Sequence, residues 1–182
     1  VAYTAPSIVV SVALSTFART GAVTFASGEN SGQSVAIDGT TVAGPTHTSG
    51  TAIWVQLSAG TMENNTVVLP ASTNAPESTG LAWYDVSGQA DVRDNRVTGG
   101  GAGTLYGVRL TASTGGPVLI AGNTVDLGEA LLGYGLHLYT TVPSVVVEDN
   151  SFAAKGFGGC AASESYGAYF YYARARAERN RF

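Results

Sequence analysis

The amino-acid sequence predicts an all-β fold, a β-solenoid in which about six to seven coils of roughly 25–30 residues stack in parallel. Three observations support this prediction: a short motif that recurs at coil-length spacing, segments in which apolar residues alternate, and a composition rich in turn residues. We expect residues 1–182 to form a single domain that was excised or processed from a longer protein.

The recurring motif reads apolar–x–x–Asn–x–apolar. It is written MENNTV at 62–67, VRDNRV at 92–97, IAGNTV at 120–125, VEDNSF at 147–152 and AERNRF at 177–182. Its asparagines are spaced 30, 28, 27 and 30 residues apart, and we call this position of the motif the marker. The marker residues are Asn65, Asn95, Asn123, Asn150 and Asn180. Two weaker copies, with Ser15 and Thr40 in place of Asn, extend the series toward the start of the chain. Self-similarity at this period indicates stacked supersecondary units.

A repeated Asn has a physical reason at the corner of a stacked coil. Its inward amide can donate to a backbone carbonyl of one neighbouring coil and accept from the other, forming a ladder. The preceding residue is mostly a type that tolerates left-handed backbone, except Arg179 in the last copy. The other preceding residues are Gly39, Asn64, Asp94, Gly122 and Asp149.

Strand-like alternation surrounds the motif, for example at Val35/Ile37 and Val145/Val147, and no segment sustains a helical period. A second strand signature precedes most copies. It reads YGVRL at 106–110, YGLHL at 134–138 and YGAYF at 166–170, and more loosely LAWYD at 81–85 and IWVQL at 53–57. Gly-, Ser- and Thr-rich segments such as GGGAG at 99–103 are expected to connect the strands.

Composition excludes several classes of partner. Charged residues make up 12% of the chain, the net charge is −4 and lysine occurs once, so no basic patch is available for nucleic acid. No apolar run approaches the roughly 20 residues of a membrane span. Cys160 is the single cysteine, which excludes an internal disulfide. Low charge and a lone cysteine fit secretion, and we expect an extracellular or cell-surface location.

The corner motif with its coil-length spacing resembles the right-handed parallel β-helix repeats of the pectate-lyase-like superfamily. The resemblance covers essentially residues 8–182 and implies a right-handed coil. It is specific for the fold and poor for function, because the superfamily includes lyases, hydrolases, epimerases, adhesins and inert structural modules.

Stacking the second signature predicts stripes of side chains along the solenoid. We expect an inward row of Val55, Trp83, Val108, Leu136 and Ala168. The predicted outward row is Gln56, Tyr84, Arg109, His137 and Tyr169. The next outward row is predicted to be Ser58, Val86, Thr111, Tyr139 and Tyr171. Tyrosine rings and polar groups on such a track suit a polysaccharide ligand, although outward strand positions favour Tyr, Thr and Arg in any case.

The preferred function is therefore non-catalytic: a structural or adhesive module that holds polysaccharide along these outward rows. The alternative is a polysaccharide lyase or glycoside hydrolase acting on an acidic polysaccharide. In a lyase, Arg109 would neutralise the uronate, and His137 or Tyr139 would transfer the proton. The catalytic patterns of polygalacturonases are absent, and His137 has no evident carboxylate to orient it.

The corner strands predict one more row: Asp38, Glu63, Arg93, Ala121, Glu148 and Glu178. Carboxylates can hold Ca²⁺, but this ion wants about six to eight converging oxygens, and a single-file row seldom converges. A solvated charged edge is the preferred interpretation, with no metal site and no cofactor. The open sheet edges of a solenoid also predict end-to-end self-association.

Overall fold

The structure, a computed structural model, contains only parallel strand pairs and no helix in the part of the chain that it describes. It describes residues 9–13, 16–18, 23–26, 34–43, 50–56, 59–71, 76–112, 116–156 and 163–182. Ser15, Ser58 and Cys160 lie outside these residues. The predicted all-β solenoid is confirmed, and its right-handed sense stays a prediction.

Seventeen β-strands are numbered here in chain order. They are β1 (Val9–Ala13), β2 (Thr16–Ala18), β3 (Val23–Ala26), β4 (Ser34–Asp38), β5 (Thr41–Ala43), β6 (Gly50–Gln56), β7 (Ala59–Glu63), β8 (Thr66–Ala71), β9 (Glu77–Tyr84), β10 (Ala90–Arg93), β11 (Arg96–Ala112), β12 (Val118–Ala121), β13 (Thr124–Thr140), β14 (Val145–Glu148), β15 (Ser151–Gly156), β16 (Glu164–Tyr171) and β17 (Ala175–Glu178).

The strands stack into three walls. The first wall is a seven-stranded sheet with the order β1-β4-β7-β10-β12-β14-β17. The second wall contains β2, β5, β8, β15 and the first halves of β11 and β13, and it begins directly after the corner. The third wall contains β3, β6, β9, β16 and the second halves of β11 and β13.

The strands β11 and β13 run through both the second and the third wall. Each is 17 residues long, and the segment GGGAG at 99–103, predicted to be a connection, lies inside β11. Gly99 and Gly100 have φ of 85° and 90°, values that L side chains rarely adopt. These two glycines therefore let one continuous strand bend from the second wall into the third.

The number of coils differs slightly from the prediction. The solenoid has about four turns, fewer than the six to seven predicted. Seven strands do stack in the first wall, but the first coils fall partly outside the described residues and the last one contributes β17 and a single bridge. The first wall therefore contains more stacked strands than the solenoid has complete turns.

The predicted asparagine ladder is present at the corner between the first and second walls. Each Nδ2 donates to the Oδ1 of the Asn in the next coil, at 2.9 Å in all four steps from Asn65 to Asn180. The same Oδ1 accepts the backbone N–H of the preceding marker, at 2.9–3.1 Å, beginning with Thr40. The second Nδ2 hydrogen is donated to the carbonyl of the residue three positions before the previous marker, such as Val92 O at 2.8 Å. In the buried side-chain amides of the ladder, both N–H groups and the oxygen therefore have hydrogen-bond partners, as expected for buried polar groups.

The backbone before each marker is left-handed, as the sequence predicted. The φ values are 60° at Gly39, 55° at Asn64, 51° at Asp94, 67° at Gly122, 56° at Asp149 and 53° at Arg179. This conformation turns the marker inward at every corner. Gly, Asn and Asp adopt it at little cost, whereas Arg179 is an unusual residue there. Its guanidinium contacts the neighbouring coil, with Nε 2.6 Å from Asp149 Oδ1.

The core is a column of apolar side chains from all three walls. Ile37, Val92, Ile120 and Val147 of the first wall are at most 1% exposed, as are Leu110 and Leu138 of the third. The column follows the alternation of the strands, whose successive side chains point to opposite faces.

A row of glycines on the third wall fixes how closely its strands approach the second wall. The row is Gly80, Gly107, Gly135 and Gly167, one in each of β9, β11, β13 and β16. A Cβ at Gly135 would lie 2.5 Å from Gly167 O and 2.7 Å from the Cβ of Phe152. Any side chain in this row would therefore push a strand away from its neighbours.

We expect Gly135→Ala to lower the free energy of unfolding by about 1–3 kcal/mol, because the new methyl group meets backbone oxygen that cannot easily move. Gly50→Ala is the matched control: it lies on the same wall, and its Cβ would have nothing within 4 Å. Urea unfolding of both variants checks the difference. Equal stabilities for the two variants would contradict the close approach.

The ladder also yields a prediction. Asn123→Ala removes the acceptor of Asn95 and two buried donors, leaving polar groups of both neighbouring coils without partners. We expect a loss of about 2–3 kcal/mol in the free energy of unfolding. The exposed neighbour Thr124→Val should change it by less than about 0.5 kcal/mol. An Asn123→Ala protein that unfolds at the native urea concentration would show that the ladder contributes little.

Candidate functional site

The outward face of the third wall collects most of the aromatic residues of the chain. Nine tyrosines occur in the sequence, and all but Tyr3, which lies outside the described residues, are on this wall or at its edge. Three outward rows run across the strands at successive positions. We call this surface the aromatic wall, and its main members are Trp54, Tyr84, Tyr106, Arg109, Tyr134, His137, Tyr139, Tyr166, Tyr169 and Tyr171.

The register of the aromatic wall corrects the predicted rows. Trp83 pairs with Leu110, not with Val108, so Tyr84 lies level with Thr111 and two positions away from Arg109. The predicted row is thus divided between two rows: one contains Gln56 and Tyr84, and the other contains Arg109, His137 and Tyr169. The error is an even number of residues, so Trp83 still points inward and Tyr84 still points outward. Val86, predicted to point outward, is instead fully buried.

The correct rows follow from the glycine row. Arg109, His137 and Tyr169 do align, as predicted, and Trp54 and Ala82 precede them. Gln56 and Tyr84 align with each other, and by register they continue into Thr111, Tyr139 and Tyr171. Matching Gly80 of STGLAW to the glycine of each YG pair, instead of aligning LAWYD with YGVRL residue by residue, would have given this register.

A third row, of Tyr106, Tyr134 and Tyr166, was missed by the sequence analysis. Its rings stack face to face between coils: Tyr106 and Tyr134 have centroids 5.0 Å apart at an interplanar angle of 6°. Tyr134 and Tyr166 are 5.3 Å apart at 10°. The signal was in the sequence, since each tyrosine precedes the glycine of the second signature. Tyr166 also donates a hydrogen bond to Glu164 at 2.8 Å.

The other rows stack in a similar way. His137 lies 5.5 Å from Tyr169 at 17°, and Tyr139 lies 5.5 Å from Tyr171 at 31°. His137 also presents its ring edge-on to Tyr106 and Tyr134. These separations are close to the strand spacing of about 4.8 Å, so each ring packs against the ring at the same position of the neighbouring strand.

Arg109 occupies the junction between the rows. Its guanidinium lies 4.6 Å from the ring centroid of Tyr106 and 5.4 Å from that of Tyr84. Nη1 is 3.0 Å from Oε1 of Glu77 in the neighbouring coil. The charge of Arg109 is therefore largely balanced within the protein.

Burial shifts the titration of this surface. Desolvation lowers the pKa of His137, and the nearby positive charge of Arg109 lowers it further. Burial raises the pKa of Tyr84, Tyr106 and Tyr134. At neutral pH the imidazole is thus neutral and these phenols keep their protons.

Stacking decides what the aromatic wall can offer to a ligand. Because the faces of Tyr106, Tyr134 and Tyr166 pack against one another, a ligand meets ring edges and hydroxyl groups. Tyr106 is 9% exposed, so a ligand would contact chiefly Tyr134 and Tyr166. We call this row of phenols, whose hydroxyls can donate and accept hydrogen bonds, the hydroxyl comb. It differs from the exposed ring faces that the sequence analysis assumed.

The charged corner row has the predicted register. Asp38, Glu63, Arg93, Ala121, Glu148 and Glu178 pair in sequence across the first wall. Glu148 is near two arginines, Arg176 at 4.0 Å and Arg179 at 3.3 Å. Among the described residues, no three His, Cys, Asp or Glu side chains come together in a way that would hold a metal ion.

No helix in the described part of the chain is long and apolar enough to cross a membrane.

The comparisons with known proteins yield no relative: no family model matches the sequence, and no curated protein and no solved structure matches it either. Function therefore has to be argued from the aromatic wall itself.

The environment of His137 predicts a specific titration. Its pKa in the folded protein should lie below the ordinary value of about 6.5, and Arg109→Gln should raise it. As the pH falls, His137 takes up its proton in the unfolded chain at a higher pH than in the folded protein. The free energy of unfolding should therefore decrease below about pH 6.5 and level off below the pKa of His137 in the folded protein. NMR titration measures the pKa of His137 in the native protein and in Arg109→Gln. The variant His47→Gln, which removes the other histidine of the chain, assigns the imidazole signals. A pKa that does not respond to Arg109→Gln would contradict this electrostatic account.

Proposed function

We propose that this chain is a non-catalytic β-solenoid of the pectate-lyase-like superfamily, a rigid structural or adhesive module that binds polysaccharide along the aromatic wall. We also propose that it works outside the cell or at the cell surface. The observation that carries the proposal is the set of stacked rows, which run across adjacent coils at separations of 5.0–5.5 Å.

A polymer of repeating hydroxylated units suits such a surface. Tyrosine supplies a rigid, amphipathic contact with few rotatable bonds, so little conformational entropy is lost on binding. The stacked rings are already ordered by their neighbours, which reduces that cost further. The hydroxyl comb, together with Gln56 and Glu164, can exchange hydrogen bonds with sugar hydroxyls over several coils.

The aromatic rows also support the mechanical part of the proposal. Cross-strand aromatic pairs stabilise a sheet by roughly 0.2–1 kcal/mol each. The rows add this contribution at the same coil boundaries where the asparagine ladder acts. A solenoid with continuous ladders at a corner and on a wall is well suited to a spacer or scaffold.

A lyase or hydrolase acting on an acidic polysaccharide is the alternative function. The register favours it at one point, because Arg109 lies opposite a neutral His137 that could accept a proton. Two contacts weaken it: Glu77 already balances Arg109, and no carboxylate among the described residues hydrogen-bonds His137. Tyr139, the other candidate, belongs to a different row from His137.

End-to-end self-association is a further part of the proposal, and it is motivated by the sheet edges. Within the described residues, β15 and β16 pair only with β13, and β17 pairs only with β14. A second copy of the chain could continue these sheets by strand addition. End-to-end association stays a prediction.

The test of polysaccharide binding uses a panel of neutral and uronate-rich polysaccharides in affinity electrophoresis. We expect retardation by at least one of them, weakened about fivefold or more in Tyr134→Phe, which keeps the stacked ring and removes only the hydroxyl. Leu131→Ala, an exposed change on the same strand but outside the aromatic wall, should bind as the native protein does.

The same wells report cleavage through the ultraviolet absorbance of unsaturated chain ends. Growth of this absorbance that is lost in both Arg109→Gln and His137→Gln would replace the proposal with a lyase. Native binding by Tyr134→Phe would show that the hydroxyl comb is not the contact surface. No binding and no cleavage on the whole panel would leave a purely structural module.

A further inference from the structure

A second feature of the third wall lies beside the hydroxyl comb and has a different chemistry. A depression of about 270 Å³ opens near the start of the aromatic wall, lined among the described residues by Thr51, Trp54, Gln56, Tyr84 and Asp85. Trp54 belongs to β6 and Tyr84 to the next strand, β9, so adjacent coils build this cavity together.

The two aromatic rings of the cavity form an angle instead of a stack. Trp54 and Tyr84 have centroids 5.9 Å apart and an interplanar angle of 77°. This breaks the parallel stacking seen in the later coils. Both rings line the depression, and nearly perpendicular aromatic rings in the wall of a pocket are the arrangement by which aromatic cages hold a cation.

Asp85 supplies a negative charge at the same place. Its side chain is exposed and forms no salt bridge with any described residue. Its backbone is left-handed, with φ of 55°, and its N–H donates to Thr111 Oγ1 at 3.1 Å. Asp85 therefore adopts the left-handed backbone that aspartate tolerates readily, as Asp94 and Asp149 do at the other corner.

Arg109, which contacts the Tyr84 ring, forms no salt bridge with Asp85. Arg109 lies over Tyr84 from β11, whereas Trp54 approaches from β6, and β9 runs between those two strands. Glu77 pairs with Arg109 at 3.0 Å. Asp85 is therefore the one charged side chain among the described residues that line the cavity.

We propose that this cavity binds a quaternary ammonium group, with Trp54 and Tyr84 contacting the cation and Asp85 balancing its charge. A quaternary ammonium is diffuse and weakly hydrated, so π surface and one carboxylate satisfy it. A primary ammonium such as that of lysine has three N–H donors and is strongly hydrated, which favours a site with more acceptors. The site does not rest on polysaccharide binding, because it uses none of the hydroxyls of Tyr106, Tyr134 or Tyr166.

The test uses choline chloride as the probe. Isothermal titration and tryptophan emission measure binding together, and emission reports Trp54 because the other tryptophan, Trp83, is 1% exposed. We expect saturable binding of choline. The neutral isostere 3,3-dimethyl-1-butanol, which has carbon in place of nitrogen, should bind at least about threefold more weakly.

Asp85→Asn keeps a residue that tolerates left-handed backbone and removes the charge, so it should weaken choline binding about threefold to tenfold without unfolding the protein. Asp94→Asn is the matched control, an exposed aspartate with φ of 51° at a different corner, and it should bind choline as the native protein does. Trp54→Leu should abolish the emission change.

Three results would overturn the proposal. The first is the absence of saturable choline binding. The second is equal affinity for choline and its neutral isostere, which would indicate a merely apolar depression. The third is native affinity in Asp85→Asn. A failure of polysaccharide binding with intact choline binding would leave this site standing, and the reverse result would leave the hydroxyl comb standing.

Discussion

The hydrogen-bonded ladder of Asn65, Asn95, Asn123, Asn150 and Asn180 is the constraint on which the rest of the molecule depends. A buried amide that loses its partners is costly, so each coil can meet the next in only one register at this corner. The left-handed residue before each marker directs the amide inward, and the charged row on the first wall repeats the same register. Every other row of side chains is set by this alignment.

The aromatic wall is a consequence of that alignment and of the glycine row. Glycines at 80, 107, 135 and 167 bring the strands of the third wall close to the second wall, and the tyrosine that precedes three of them then stacks on its copies. Where the repeat has Thr51 and Thr79 instead, the stack ends and Trp54 meets Tyr84 at an angle. One repeating wall thereby offers two chemistries: a hydroxyl comb over the later coils and a charged aromatic cavity over the earlier ones.

The corner was readable from the sequence because a buried amide and a left-handed backbone restrict residue type strongly. The residues that precede the markers, such as Gly39, Asp94 and Asp149, are of types that readily adopt left-handed backbone. The third wall was harder to read, because aligning LAWYD with YGVRL residue by residue gives a register that is wrong by two positions, and a shift of two residues preserves the alternation. The two coils that build the cavity at Trp54 and Tyr84 have the predicted register, with Val55 opposite Trp83. Trp54 was not part of any predicted row, and the angle between its ring and that of Tyr84 depends on side-chain packing, about which alternation carries no information.

Hydrogen exchange of the asparagine side-chain amides tests the ladder most directly. In native protein transferred to D₂O, the Nδ2 protons of Asn95, Asn123 and Asn150, each 2% exposed or less, should exchange slowly and with similar rates, because a coil boundary must open first. The exposed amide of Asn64 provides the reference in the same spectrum. Exchange of all three ladder side chains at the rate of Asn64 would mean that the coils are not joined by the ladder, and the account of both surfaces would fail with it.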